Sequence, residues 1–332
     1  MTDEATLNST FTLVSADKVA LFVYRWLPRA APKAVIQIAH GLFEHAGRYA
    51  RLAGALTRAG YAVYAGDHRG HGKTVSMPED FGFLAERDGW RKCADDLWGL
   101  NQHIAADHPG LPIVLIGHSM GSFMAQQFIS EHGEALSGAV LCGSNGHSRW
   151  LIGTVRIVAC VERLLFGPHG RSALVHSIIF GSFNRKFEPI RTEADWISRD
   201  SAEVDKCIAD PLCHFRPTLQ LWIDVLGALT EIGKPARLAH IPKHLPIYVI
   251  GGTRDPVGAK GKGIEQLLTA YRVAGLQRVT YRSYPEARHE LFNETNRDEV
   301  TRELLAWLDE VTSHRDHSGR GRSLPPGRRP WA

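Results

Sequence analysis

Short apolar runs alternate along the chain with longer segments in which apolar residues recur every three or four positions. The runs, which are typical of buried strands, are 10–14, 19–26, 34–39, 61–65, 111–116, 137–142, 246–252 and 278–283. Helical spacing follows at 49–59, 90–106, 122–128 and 263–274, and in a last segment that ends near Val311. This alternation predicts a mainly parallel, doubly wound sheet with helices on both faces, opened by an antiparallel hairpin that turns at 15–18.

The alternation is interrupted once. From about Ser144 to about His240 the sequence contains helical segments and turn breaks such as Gly167-Pro168, but no strand pattern. One α/β domain with an inserted helical lid explains this better than two tandem domains. We therefore predict an α/β core formed by residues 1–143 and 241–312, a lid at 144–240 and a disordered basic tail at 313–332.

Composition places the chain among ordinary globular proteins. Hydrophobic residues make up 44% and charged residues 22% of the 332 positions. Five scattered cysteines without a C-x-x-C pair argue against a disulfide framework and a zinc site, and they favour a reducing, cytoplasmic location. We see no secretory signal, and no apolar run reaches the roughly 18–20 residues of a membrane span.

The formal charge of +4 lies at the C-terminus. Of the 39 basic and 35 acidic residues, five arginines and one aspartate lie beyond Ser313, which leaves 34 of each in the remainder. A neutral body gives no electrostatic support for nucleic-acid binding, and we expect none. The tail itself is either a functional basic arm or, as its composition favours, a solvated segment.

The most specific motif follows the apolar run at 111–116. The chain there breaks into Gly117-His118-Ser119-Met120-Gly121 and continues with helical spacing, so a Gly-x-Ser-x-Gly sequence lies between a strand and a helix. A serine at the tip of such a turn stands clear of the sheet as a nucleophile, and the glycines avoid clashes between crowded backbones. Ser148 has a similar setting but lacks the closing glycine, so we interpret it as a loop serine.

A serine nucleophile needs a base, and the base needs an acid that orients it. Asp255 follows the strand at 246–252 and His289 follows the last strand, both at carboxyl ends where open α/β sheets place their sites. Singly, they could be a turn aspartate and a solvated loop histidine. Their joint placement after the Gly-x-Ser-x-Gly turn at 117–121, a nucleophile elbow that we call the elbow below, favours catalysis. The backbone N–H groups of Met120 and Leu42 are the expected oxyanion donors.

Other histidines have structural explanations. We interpret His68 and His71, together with Asp67 and Arg69, as a structural turn near the site. His118 lies inside the elbow, where the turn is expected to direct it away from Ser119. Two further histidines, His40 and His45, suggest metal ligands, but no matching set occurs at the required spacing, so we expect no metal.

Four motifs together resemble the monoacylglycerol lipase and lysophospholipase branch of the serine α/β-hydrolases. They are HGLFEHAGRY at 40–49, GDHRGHG at 66–72, GHSMG at 117–121 and PEARHE at 285–290. The resemblance implies an α/β-hydrolase fold that hydrolyses a single-chain acyl ester, with a lid framing an apolar tunnel and no cofactor. It makes Ser119 the nucleophile, His289 the base, Asp255 its orienting acid, and the N–H groups of Leu42 and Met120 the oxyanion hole.

The chain departs from that branch at one position. The family usually has glycine between the oxyanion residue and the Glu-His pair, whereas this chain has Phe43, whose bulk is expected to narrow the pocket or change the loop. We expect Phe43, His118, Trp150 and Leu151 to contact the substrate. The apolar lid helix that begins at Trp150 either touches lipid surfaces or packs on its own domain.

The predicted function is a serine esterase acting on monoacylglycerol or lysophospholipid. The alternative is a general carboxylesterase or thioesterase for short to medium acyl chains. Dehalogenases and epoxide hydrolases of the same fold require aspartate where this chain has Ser119. A non-catalytic binding protein has no reason to keep serine, acid and histidine in register.

Overall fold

The computed structural model describes residues 6–146, 149–213 and 215–313. Nearly all of the expected tail, from His314 onward, and the loop serine Ser148 lie outside these residues. The side chains of Trp150 and Leu151, two of the expected substrate contacts, are also outside the description, although their backbone belongs to a helix.

One eight-stranded sheet runs through the molecule in the order β1-β2-β4-β3-β5-β6-β7-β8. Its strands are β1 Thr6–Val14, β2 Ala20–Pro28, β3 Ala34–Ala39, β4 Tyr61–Gly66, β5 Ile113–His118, β6 Gly138–Cys142, β7 Ile247–Gly252 and β8 Val279–Tyr284. The pairs β1–β2 and β2–β4 are antiparallel and the other five pairs are parallel. The opening hairpin and the mainly parallel sheet are therefore confirmed.

Helices cover both faces of this sheet. The α-helices of the described residues are α1 Ala50–Arg58, α2 Gly89–Asp107, α3 Met120–His132, α4 Arg149–Phe166, α5 Ala173–Phe180, α6 Ser201–Ala209, α7 Leu219–Glu231, α8 Pro235–Leu238, α9 Lys262–Val273 and α10 Arg297–Thr312, of which α4 to α8 lie between β6 and β7. The buried residues of α1 and α10 share one hydrophobic cluster, whereas those of α2, α3 and α9 belong to the other.

The central strand β5 shows why the sheet is buried on both sides. Ile113 and Leu115 point into one hydrophobic cluster, and Val114 and Ile116 point into the other, as the two-residue period of a strand requires. All four are buried, and full burial of such side chains contributes about 1.5–3 kcal/mol each. The elbow is therefore built on a rigid element.

Between β6 and β7 the described residues form helices and turns and no strand, as the sequence pattern indicates. The longest of these helices, α4, packs against α7. Thr218 connects this segment to the core, since its hydroxyl caps α7 at Leu221 N–H and donates to the Gly82 carbonyl at 2.6 Å. Within the described residues, no helix has the length and apolarity needed to cross a bilayer.

Candidate active site

The backbone at Ser119 has an uncommon conformation. With φ 51° and ψ −119°, Ser119 lies between the end of β5 and the first residue of α3. Its N–H donates to the Cys142 carbonyl at 2.9 Å, and its carbonyl accepts from Ser122 N–H at 2.8 Å. These bonds hold a positive φ that a side-chain-bearing residue rarely adopts and that is typical of a nucleophile elbow.

Glycines on both sides of Ser119 allow this turn. A Cβ at Gly117 would overlap the backbone of Gly121, and a Cβ at Gly121 would overlap the Ala39 carbonyl oxygen. Since backbone atoms cannot move aside as a flexible side chain can, a larger residue would displace the strand or the helix. The glycines thus set the distance between Ser119 and its neighbours.

The elements after β7 and β8 bring the predicted acid and base together. His289 Nδ1 lies 2.9 Å from Asp255 Oδ2, and both side chains are buried, at 3–4% exposure. The other carboxylate oxygen accepts from Val257 N–H at 2.9 Å. Since the carboxylate accepts from Nδ1–H, Nε2 of the neutral ring is left as the proton acceptor that a general base requires.

Electrostatics favour the protonated form of His289. Burial alone lowers the pKa of this imidazole, but the charge and hydrogen bond of Asp255, with smaller contributions from Glu290 and Glu44, raise it above the usual value of 6.5. The base is thus stronger than a free histidine, which helps it to take a proton from a serine hydroxyl.

His289 and Ser119 line the same cavity, which has a volume of about 900 Å³. Ser119 is half-buried rather than buried, so the cavity gives access to its side chain. The apolar part of the wall comes from α3, α5 and α7: Phe123, Ile179, Phe180, Trp222, Leu226 and Leu229. A large apolar cavity with a few convergent polar groups is typical of a small-molecule site.

The two expected oxyanion donors also belong to this cavity. Leu42 follows β3 and Met120 is the first residue of α3, where the helix leaves its N–H free. Leu42 lies in the loop at 40–45, which we call the oxyanion loop. Glu44 fixes this loop, because its Oε1 accepts from Gly41 N–H at 2.5 Å and from the Tyr49 hydroxyl at 2.8 Å. A carboxylate therefore holds the backbone on which the proposed oxyanion hole depends.

A buried ion cluster links this loop to the loop after β8 that carries His289, which we call the histidine loop. Arg48 makes two 2.7 Å bonds to Glu290 and a longer one, 3.3 Å, to Glu44. Burial opposes ionisation of both carboxyls; the bidentate arginine nevertheless lowers the pKa of Glu290, whereas the pKa of Glu44 is raised. The motifs at 40–49 and 285–290 contain these residues but do not indicate that they meet, since the contact joins positions 242 residues apart.

His118 lies in the cavity wall rather than apart from it. Its ring centroid is 4.7 Å from that of His289. Burial and the neighbouring His289 lower the pKa of His118 to about 3, so it remains neutral. The expectations that His118 contacts the substrate and that the turn directs it away from Ser119 both stay predictions.

The histidines of the second motif have structural partners. His40 donates from Nδ1 to the Gly41 carbonyl and accepts from His68 N–H at Nε2, which connects the loops after β3 and β4. Burial lowers the pKa of His68 to about 3 and of His71 to about 4. Arg69 is held by Asp17 and Asp96. The bond from His68 N–H connects this turn to the loop that carries Leu42.

One cluster of the described residues has metal-ligand chemistry: His45, Asp210 and Cys213, whose donor atoms lie within 4.8 Å of one another. His45 Nδ1 accepts from Gly47 N–H, so Nε2 carries the ring proton and donates to Asp210 at 2.9 Å. A metal at Nε2 would require the neutral ring to carry its proton on Nδ1 instead. Nδ1–H and Gly47 N–H would then be two donors facing each other, and the bond from Gly47 would be lost. The cluster is better explained as a hydrogen bond between the oxyanion loop and the lid.

Phe43 projects from the oxyanion loop toward the lid. Its ring centroid lies 5.1 Å from Phe180, 6.0 Å from Phe215 and 6.2 Å from His176. All four residues line the cavity. The Phe43 ring therefore occupies space between the core and the lid, in the wall of the cavity.

Comparison with known proteins gives a consistent picture. A family model described as serine aminopeptidase, S33, matches residues 30–296. The chain is 30% identical over 290 residues to the monoacylglycerol lipase of Mycolicibacterium smegmatis, covering 85% of this chain and 90% of that protein. It is also 30% identical over 326 residues to the monoglyceride lipase of Rattus norvegicus, covering 94% and 93%. A thermostable carboxyl esterase from Bacillus coagulans, solved with glycerol, has a TM-score of 0.84 at 27% identity, covering 92% of this chain and 99% of that chain.

Proposed function

This chain belongs to the serine aminopeptidase S33 family, and from that premise we propose that it hydrolyses monoacyl lipid esters through an acyl-enzyme at Ser119. It lies in the monoacylglycerol lipase branch of the α/β-hydrolases, whose fold it shares. One observation carries the proposal: the buried Asp255–His289 pair and the half-buried elbow serine open into one apolar cavity.

The proposed chemistry follows from this geometry. Ser119 Oγ attacks the ester carbonyl while His289 Nε2 takes the hydroxyl proton, and Asp255 stabilises the imidazolium through Nδ1–H. The N–H groups of Leu42 and Met120 bind the oxyanion, and one such donor typically contributes about 10²–10³ in kcat. His289 then protonates the leaving alcohol. In the second half of the reaction water attacks the acyl-enzyme while His289 takes a proton from it, and His289 returns that proton to Ser119 Oγ as the fatty acid leaves.

The cavity supports a lipid acyl chain as substrate. An acyl chain lying against Phe123, Ile179 and Leu226 would bury its apolar surface away from water. This burial contributes about 0.8 kcal/mol to the free energy of binding for each methylene. Phe43 and its aromatic neighbours favour the second candidate, a carboxylesterase or thioesterase for shorter chains, because they reduce the space beside the oxyanion loop.

We propose that residues 144–240 act as a lid that contacts lipid surfaces transiently. Seven large apolar side chains of α4 and α5 are 44–83% exposed: Ile157, Val161, Leu164, Leu165, Phe166, Leu174 and Ile178. The spacing of 157, 161, 164 and 165 places them on one face of α4, while Val155 and Ala159 are buried. An exposed apolar face of this kind is typical of helices that lie on membranes.

A cytoplasmic location stays a prediction. All five cysteines are free, as a reducing compartment would maintain them.

A substrate panel with a serine variant tests the proposed function. It comprises monoacylglycerols and lysophospholipids of increasing chain length, acyl-CoA, and p-nitrophenyl esters. We expect long-chain monoacyl esters to be preferred and Ser119→Ala to lower kcat by about 10⁶, as loss of the nucleophile does in other serine hydrolases.

The matched control is Ser130→Ala in α3, the helix that follows Ser119. The Ser130 hydroxyl donates to the Gln127 carbonyl of α3, at 2.7 Å, so its removal should leave kcat within about twofold of wild type. Activity that survives Ser119→Ala would refute the nucleophile assignment. A preference for acetyl over long acyl esters would refute the lipid substrate but leave the esterase intact.

A further inference from the structure

The base of the proposed site touches a tryptophan from the lid. The ring centroid of Trp196 lies 5.0 Å from that of His289, at an interplanar angle of 38°. Among the described residues, the other ring in contact with the imidazole is His118, at 4.7 Å. His289 therefore contacts a core histidine and a lid indole.

Hydrogen bonds to backbone carbonyls fix residues 195–198 of the lid to the histidine loop. Glu290 N–H donates to the Ile197 carbonyl at 2.7 Å. The Arg288 guanidinium donates to the Ser198 carbonyl at 3.1 Å and also to the Asp195 carbonyl. The segment 195–198 is thus anchored to the loop that carries the base.

The tryptophan itself has a defined position. Its backbone N–H donates to Asn184 Oδ1 at 2.9 Å, and its ring contacts Phe183 at 5.1 Å and Phe180 at 5.9 Å. Trp196 is half-buried and lines the cavity, so a bound substrate would exclude the remaining water from it.

The reaction creates a positive charge beside this ring. When Ser119 is acylated, its proton moves to His289 Nε2 and the imidazole becomes an imidazolium. A cation positioned over the face of an indole, within about 6 Å of its centroid, is attracted by the ring quadrupole, and the attraction is stronger when the pair is desolvated. His118 cannot take the proton in place of His289, since its pKa is lowered to about 3.

We propose that Trp196 is a positioning residue of the catalytic base, which holds the His289 ring and stabilises its protonated form. The proposal rests on the proposed function, because it assigns a lid residue to the same acyl transfer. It also means that the lid contributes to proton transfer and not only to substrate binding.

Substitution of Trp196 leaves the other groups that act on His289 in place. These are Asp255 after β7, His118 at the end of β5, Glu290 in the adjacent position and Glu44 in the oxyanion loop. A change in the titration of the base can therefore be attributed to the indole.

The test is the pH dependence of kcat/KM for a water-soluble p-nitrophenyl ester in Trp196→Leu and Trp196→Phe. We expect Trp196→Leu to lower kcat/KM on the alkaline plateau by about 2- to 30-fold, which corresponds to the energy of the contact. The acid limb should move to lower pH, since the imidazolium loses a stabilising neighbour. Trp196→Phe, with a weaker quadrupole, should give a smaller loss and a smaller shift in the same direction.

The opposite shift separates this role from a structural one. If Trp196 only excluded water, its removal would hydrate His289 and relieve the burial that lowers its pKa, so the acid limb would move to higher pH. An acid limb that moves up, or stays in place in both variants, overturns the proposal. Thermal unfolding of each variant identifies a folding defect. If Trp196→Leu is unfolded, the shift of the acid limb in Trp196→Phe, which keeps an aromatic ring in the cavity, decides the test.

Trp222→Leu is the matched control. Trp222 is also a lid tryptophan in the cavity wall and contacts Phe180 at 5.8 Å, but its ring contacts within the described residues do not include His289. We expect it to change KM for long-chain substrates without moving the acid limb. Absence of ester hydrolysis in the wild type, or its survival in Ser119→Ala, would refute the proposed function, whereas a normal wild type with an unmoved Trp196→Leu profile refutes only this inference.

Discussion

His289 and His118 are in ring contact, yet their surroundings shift their pKa values in opposite directions. Burial lowers the pKa of both, but only His289 has a carboxylate, Asp255, within hydrogen-bond distance to outweigh it. One imidazole is thereby prepared to accept a proton near neutral pH, while its neighbour stays neutral and does not compete. Among the groups that raise the pKa of His289, this acidic partner at 2.9 Å contributes most.

The pH dependence of hydrolysis should follow from this pair. Since His289 acts as a base only when neutral and its pKa is raised, kcat/KM should fall as pH decreases through a midpoint above the usual histidine value of 6.5. The measurement is kcat/KM for a p-nitrophenyl ester between about pH 5 and about pH 9. A midpoint clearly below 6.5 would contradict the assignment of His289 as the base.

Asp255→Asn provides the control at the same scale. It removes the charge that raises the pKa of His289 and allows the wrong tautomer, so kcat should fall by about 10⁴ and the acid limb should move to lower pH. Asp224 is an aspartate of α7 that accepts a hydrogen bond from Gln220 Nε2, and Asp224→Asn should leave the midpoint unchanged.

At the scale of elements, the contact between β3 and the start of α3 determines where the nucleophile stands. Gly121 lies so close to Ala39 that a Cβ would overlap its carbonyl oxygen. The strand carries the oxyanion loop and the helix carries Met120, so the same contact sets the spacing of both proposed oxyanion donors.

Gly121→Ala should therefore impair both stability and activity. We expect the free energy of unfolding to fall by about 1–3 kcal/mol, as overpacking does, and kcat to fall because the elbow is displaced. Gly99→Ala in the middle of α2 is the control: a Cβ there meets nothing within 4 Å, so it should stabilise the helix by up to about 1 kcal/mol. Urea unfolding measures both, and a neutral Gly121→Ala would contradict the crowding argument.

At the scale of the whole molecule, the lid presents two faces with different partners. One side of α4 packs against α7, while the face with Leu164 and Leu165 is exposed. The sequence left two alternatives for this helix, packing or contact with lipid. Both sides of the helix are apolar, so the two roles are compatible.

Leu164→Glu tests the proposed lipid contact. Leu164 is 83% exposed, so the change should not affect folding. A leucine that becomes buried in a lipid surface contributes about 1.5–3 kcal/mol to the free energy of binding, and Leu164→Glu removes this contribution. We expect co-sedimentation with neutral phosphatidylcholine vesicles to weaken by about tenfold or more, with turnover of a soluble ester unchanged. Val273→Glu, an 82% exposed position on α9 outside the lid, is the control, and equal binding by both variants would contradict the proposal.

Much of the fold could be predicted because strands and helices leave local periodic patterns. Residues 34–39 form β3 as the apolar run indicates, whereas the run at 111–116 is shifted, since β5 begins at Ile113 and ends at His118. Pro112 explains the late start: it lacks an N–H for the ladder, and its carbonyl alone bonds to Val35.

What the sequence by itself determined is the set of local features: the elbow around Ser119, the placement of Asp255 and His289 after successive strands, and the bulk at Phe43. Only the tertiary structure decided which distant side chains meet. Glu44 and Glu290 share Arg48, His45 bonds to Asp210 across 165 positions, and Trp196 lies on His289. The physical reason is that chain periodicity records burial along one element, whereas a contact between loops depends on how the sheet and lid bring those loops together.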